Sequence, residues 1–235
     1  MRNYFVYNSM DSRTYGVYIS GSGIFDSPAR NMNFISVPGR NGDLIGHEKR
    51  FENINLTYPA FICADFKNKI QSFRSAMQSV QSYARLTDSY HTDEFRLAAF
   101  VGGVDVSPAS MLQAGKFDIT FNCKPQRFLT SGETETTFNA SGTISNPTSF
   151  PSKPKITVTG YGTLTINGSN ITIANAYPSV IIDSDICDCY YGTTNANGQV
   201  SFASNDFPEL IPGSNTIAFS GNITQVKVLP RWWRI

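Results

Sequence analysis

The residues best placed to do chemistry are His91 and the carboxylates around it, Asp88, Asp93 and Glu94. A carboxylate beside an imidazole raises the histidine's proton affinity and makes an acid/base pair. Asp, Ser, Thr and His in succession are also ordinary turn residues, and no Ser or Cys nucleophile stands in a recognisable frame. Cys187 and Cys189 are a second candidate. On a strand their i, i+2 spacing would turn both thiols to one face, where they could help hold a metal. The only other imidazole is His47, and neither histidine is near them in sequence, so two buried thiols are the simpler reading. There is no HExxH, no GxxxxGK[ST] and no complete GxSxG around Gly21-Ser22-Gly23. No metal, cofactor or catalytic residue is assigned.

Aromatic rings offer a third chemistry, the stacking of a sugar. Tyr177, Tyr190, Tyr191, Trp232 and Trp233 are the candidates. Trp232 and Trp233 are adjacent, so an extended backbone sends them to opposite faces, one to a core and the other to an interface or packing contact.

The elements that must carry these residues are mostly strands. Ile, Val, Thr, Tyr, Phe and Trp number 82, against 43 for Ala, Leu, Glu, Lys and Met, in a chain of 235 residues. That balance points to a mainly β protein and excludes a helical bundle. Charged residues are 16% of the chain and the net charge is +1, which excludes a strongly basic nucleic-acid binder. Hydrophobic content of 40% excludes disorder. The N-terminal residues have no signal-peptide core and no run suits a membrane span, so synthesis and folding in a cytosol are expected.

The texture changes near residue 130. Residues 1–130 hold 14 Lys/Arg and 11 Asp/Glu, whereas residues 131–235 hold 5 and 7. A boundary at 132/133 is expected, with Ser/Thr/Pro-rich connectors beyond it. In the first part, Phe66, Ile70, Phe73, Met77 and Val80 predict one helix over residues 65–82, with Asp65 as its N-cap. Residues 54–58 and 117–121 alternate as strands. Pro38, Gly39, Arg40, Asn41, Gly42 and Asp43 form a turn between two short apolar runs, so a protruding hairpin is expected. The second part reads as short Ile/Val/Thr strands separated by Asn/Gly turns, the pattern of a β-sandwich.

Several stretches together resemble the distal tail proteins, or baseplate hubs, of long-tailed bacteriophages. They are the opening around Tyr4-Phe5-Val6-Tyr7, Pro38-Gly39-Arg40-Asn41-Gly42, Lys124-Pro125-Gln126-Arg127 and Pro230-Arg231-Trp232-Trp233. The resemblance implies an N-terminal ring-forming β-sandwich or split-barrel-like domain with one helix and a protruding hairpin (1–132). A C-terminal galectin-like β-sandwich (133–235) follows. It implies a structural, non-enzymatic virion protein at the distal end of the tail, six copies of which form a ring around a channel where DNA passes as non-specific cargo. Its partners would be itself, the tail tube protein, a tail-tip or tail-associated lysin protein, and receptor-binding or other baseplate proteins, with no membrane. Residues 38–43 would then touch a neighbouring copy in the ring, where Arg40 is either a solvated turn residue or half of an inter-subunit ion pair. Trp232 and Trp233 would serve docking or packing. The alternative is a module that binds cell-wall saccharide through the C-terminal sandwich.

Overall fold

The structure is a computed structural model and describes residues 2–21, 25–104, 106–108 and 114–235. It is mainly β and falls into two compact units, residues 1–127 with Ile235, and residues 128–234. The sequence boundary at 132/133 lies a little later. Leu129 already packs against the second core, and its N–H donates to Trp232 O at 2.9 Å.

The first unit contains strands β1 (Phe5–Tyr7), β2 (Met10–Asp11), β3 (Val17–Ile19), β4 (Arg30–Ile35), β5 (Leu44–Phe51) and β6 (Ile54–Ile62). Helix α1 (Phe66–Gln78) follows, then β7 (Ala84–Asp88), β8 (Glu94–Phe100), β9 (Val106–Pro108) and β10 (Gly115–Leu129), whose last two residues belong to the second unit. The main sheet runs β2-β1-β7-β8-β10-β6-β3, with β9 also on β10. An antiparallel bridge between Asn3 and Ile19 ties the chain ahead of β1 to β3, at the far end of that order, so the sheet curls toward closure.

Strict alternation builds this core. Along β6, Ile54, Leu56, Tyr58, Ala60 and Ile62 point inward, and the register sets Tyr58 opposite Ile119 and Leu56 opposite Phe121. Phe5 stacks on Tyr58 at 5.9 Å and meets Phe121 edge-on at 5.7 Å. Helix α1 closes the core with Phe66, Ile70, Phe73 and Met77.

The helix ends at Gln78, four residues before the expected end at 82. Asp65 does not cap it as expected. Asp65 adopts φ 52, and its Oδ1 accepts instead from the side-chain amide of Asn68 at 2.9 Å, so no first-turn N–H receives the carboxylate.

The second unit is a sandwich of two antiparallel sheets. Its strands are β11 (Thr136–Phe138), β12 (Gly142–Asn146), β13 (Lys155–Thr159), β14 (Gly162–Ile166), β15 (Ser169–Ile173) and β16 (Ser179–Asp183). They continue as β17 (Asp188–Tyr191), β18 (Thr194–Asn195), β19 (Val200–Phe202), β20 (Gly213–Gly221), β21 (Gln225–Leu229) and β22 (Trp233–Arg234). One sheet runs β11-β21-β13-β16-β17-β18 and the other β12-β20-β14-β15-β19. Their inward residues, among them Ile156, Val158, Leu164, Ile182, Ile217, Val226 and Val228, form one core. Among the described residues, no helix is long and apolar enough to cross a membrane.

Candidate assembly surface

Among the described residues β4 and β5 pair only with each other, as a two-stranded sheet apart from the main one. Phe34 stands opposite Ile45, and Ile35 opposite Leu44. Directly opposed residues share a face, and successive residues alternate. Met32, Phe34 and Ile45 therefore occupy one face of the hairpin, and Ile35 and Leu44 the other. All five are exposed, Phe34 at 60% and Ile45 at 59%. An isolated hairpin is marginal in water, and one that is apolar on both faces loses free energy on each. Clustered exposure of this kind marks an interaction surface.

The predicted turn joins the two strands. Arg40 N–H donates to Val37 O at 3.2 Å, with Pro38 and Gly39 as the central residues of the turn and Gly39 at φ 79. Proline before a positive-φ glycine is the type II arrangement, which a side chain at position 39 would strain. Residues 38–43 are all exposed. Arg40 and Asp43 have no ion pair among the described residues. The apolar faces were missed in the sequence, although Phe34-Ile35 and Leu44-Ile45, paired apolar neighbours on each side of the turn, were their signal.

The other motifs point inward. Arg127 forms an ion pair with Glu94, which is 3% exposed. Arg231 grips Asp183 with two bonds, Nη1 to Oδ1 at 2.5 Å and Nη2 to Oδ2 at 2.9 Å. Burial alone would raise the Asp183 pKa, but the Arg231 hydrogen bonds and charge outweigh it and hold the carboxyl below its ordinary value. Arg231 adopts φ 55 and donates its N–H to Gly132 O at 2.9 Å. A Cβ on Gly132 would fall 2.3 Å from Trp232 N, so only glycine permits this approach. Trp232 is in the sandwich core at 5% exposure. Trp233 stacks on Phe150 at 4.6 Å and donates Nε1–H to Pro151 O at 2.9 Å. Both tryptophans are engaged within their own unit.

The remaining candidates separate. Asp88 Oδ1 accepts from Tyr90 N and His91 N, each at 2.9 Å, and lies 3.1 Å from His91 Nδ1. Its Oδ2 accepts from Tyr58 O–H at 2.6 Å, and burial followed by the Asp88 charge raises the Tyr58 pKa well above the usual. Asp88 thus organises a turn and anchors a core tyrosine. Glu94 is committed to Arg127, so of the sequence cluster Asp88 and His91 stay together while Glu94 is engaged elsewhere.

Cys187 and Cys189 do not share a strand face, contrary to the expectation for an extended segment. Cys187 sits in the turn ahead of β17 at φ 53, exposed, while Cys189 is buried. Tyr177 and Tyr191 stack on one another at 5.3 Å, and burial raises the Tyr190 pKa.

Comparison with known proteins finds a family match and similar folds. Residues 10–123 match the sequence model of the family described as phage tail protein RIFT-related domain. This segment is a phage tail domain. The chain as a whole has the fold of the SPP1 Dit (gp 19.1) protein, whose crystal structure is described as a paradigm of hub adsorption apparatus in phages infecting Gram-positive hosts. The TM-score is 0.71 at 11% identity, over 100% of both chains. A chain of the phage p2 baseplate, in its activated conformation with Sr, aligns over 97% of this chain and 98% of its own, with 11% identity and a TM-score of 0.46. No curated protein sequence matches significantly. The resemblance to distal tail proteins is borne out by the family match over residues 10–123 and by the fold shared with the SPP1 protein.

Proposed function

We propose that six copies of this phage tail protein close into a ring at the distal end of the tail tube. The ring leaves a channel for DNA, and the β4–β5 hairpin of each copy packs against its neighbour. The observation that carries this reading is the hairpin that is apolar on both faces. Met32, Phe34 and Ile45 on one side and Ile35 and Leu44 on the other have no covering layer among the described residues. A hairpin apolar on one face lies on a surface; one apolar on both is inserted between two. A closed ring supplies such a slot, because every subunit presents two different complementary surfaces. A neighbour's strand added along an outer edge of the hairpin would contribute backbone hydrogen bonds.

In this reading residues 1–132 form the ring and residues 133–235 carry the docking sandwich. The ring joins the tube protein to a tail-tip or lysin protein and to receptor-binding or other baseplate proteins.

Photo-crosslinking from position 34 tests the placement. With a photoreactive residue at Phe34, irradiation of the assembled protein yields a ladder of covalently joined copies. Intramolecular products alone refute the placement.

A further inference from the structure

One end of the C-terminal sandwich carries an open groove. Three segments meet there: residues 151–154, the turn of residues 184–187, and residues 206–211. They are tied firmly. Ser152 and Leu210 exchange both N–H···O bonds at 3.0 Å, Ser184 N–H donates to Pro154 O at 3.1 Å, and Ser184 O–H donates to Pro208 O at 2.7 Å. Between them lies an open groove of about 410 Å³, lined by Phe207, Cys187, Lys153, Asp206 and Glu209 together with Ser184.

Two aliphatic side chains stand next to this lining in the chain. Ile186, beside Cys187, is 61% exposed, and Ile211, two residues after Glu209, is 50% exposed. The Ile211 backbone is clamped by the Asn215 side chain, which accepts from its N–H at 2.8 Å and donates to its carbonyl at 2.8 Å. An apolar side chain held out by a fixed backbone loses little entropy on binding. The charge around it is one-sided. Asp206 and Glu209 are exposed and carry no ion pair among the described residues, with Lys153 as the one cation of the groove lining, while Asp185, also exposed, lies in the field of Arg231. Isoleucines bordered by free carboxylates complement a segment that presents an aliphatic or aromatic side chain between Lys or Arg residues.

We propose that this end of the C-terminal unit docks a basic, apolar-bearing segment of another tail protein of the same virion. The proposal rests on the hub reading, in which this unit faces outward to its partners. The carboxylates select and steer the segment, and Ile186, Ile211 and Phe207 hold it.

The test immobilises the full-length chain and passes over it, one at a time, the other purified structural proteins of the virion's tail. Two exposed-surface variants are compared, Asp206→Lys/Glu209→Lys and Ile186→Ser/Ile211→Ser, each first shown to retain the native melting temperature. One tail protein is expected to bind, with affinity that weakens about tenfold or more in each variant and falls steeply with salt. Absence of any binder, or a binder indifferent to both variants, overturns the proposal. So does a variant-sensitive gain or loss of self-association, which assigns the groove to a second copy, or variant-sensitive binding of a neutral saccharide. Because oligomeric mass is measured separately, failure of the ring reading and failure of the groove are distinguishable.

Discussion

Phe34 and Ile45 face each other across the β4–β5 hairpin, and both remain more than half exposed, at 60% and 59%. One residue along each strand, Ile35 and Leu44 repeat the arrangement on the opposite face. A sheet that buries one face against its own core shows apolar and polar residues in alternation, as β6 does. The hairpin departs from that rule on both faces, the feature on which the proposed packing against a neighbouring copy rests.

Phe34→Ser/Ile45→Ser is therefore expected to abolish self-association while leaving the fold intact. Exposed substitutions of this kind change folding stability by about 0.5 kcal/mol or less. Analytical ultracentrifugation together with thermal unfolding checks this. A variant that assembles normally separates the hairpin from assembly.

The fold was legible where periodicity was clean. The alternation in residues 54–58 and 117–121 became β6 and β10, and the stripe from Phe66 to Met77 became α1. The short strands β1, β2 and β18 escaped notice because two or three residues show no period. The Asp65 cap failed because composition does not reveal a backbone at φ 52. Of the candidate site, the turn at residues 38–43 was legible from Pro and Gly. The apolar faces on either side of it were not, because Phe34-Ile35 reads like any buried strand until the structure shows both residues exposed. His91 with its carboxylates looked like a cluster in sequence. In space Glu94 belongs to Arg127, a partner 33 positions away.

The Arg231 to Asp183 pair gives the C-terminal unit an acid limit. The folded Asp183 carboxyl titrates below its ordinary value of 3.8. Its stabilisation is complete above that ordinary value and is lost as pH falls through the depressed one. Arg231→Ala leaves a buried carboxylate unpaired and is expected to destabilise the unit by about 3 kcal/mol at neutral pH. The deficit should shrink as pH falls toward and through the ordinary carboxylate range, because burial without Arg231 favours the protonated carboxyl. Denaturant unfolding followed at several pH values, with Trp232 as the buried reporter, measures it. A deficit that does not change with pH would mean that the pair contributes through packing alone.

The four cysteines should divide into two pairs by reactivity. Burial pushes the Cys123 and Cys189 thiols up to about 12, while Cys63 and Cys187 are exposed. A thiol reagent at mildly alkaline pH should modify Cys63 and Cys187 in the native protein and reach Cys123 and Cys189 only after unfolding. Rapid native modification of all four would contradict the packing of both cores.

The central claim is the closed ring, and native mass spectrometry of the full-length protein, paired with negative-stain images, tests it most directly. The account predicts one dominant assembly of six copies, seen as an annulus with an open centre. A single-chain mass at every concentration, or an open filament in place of a closed ring, would contradict it.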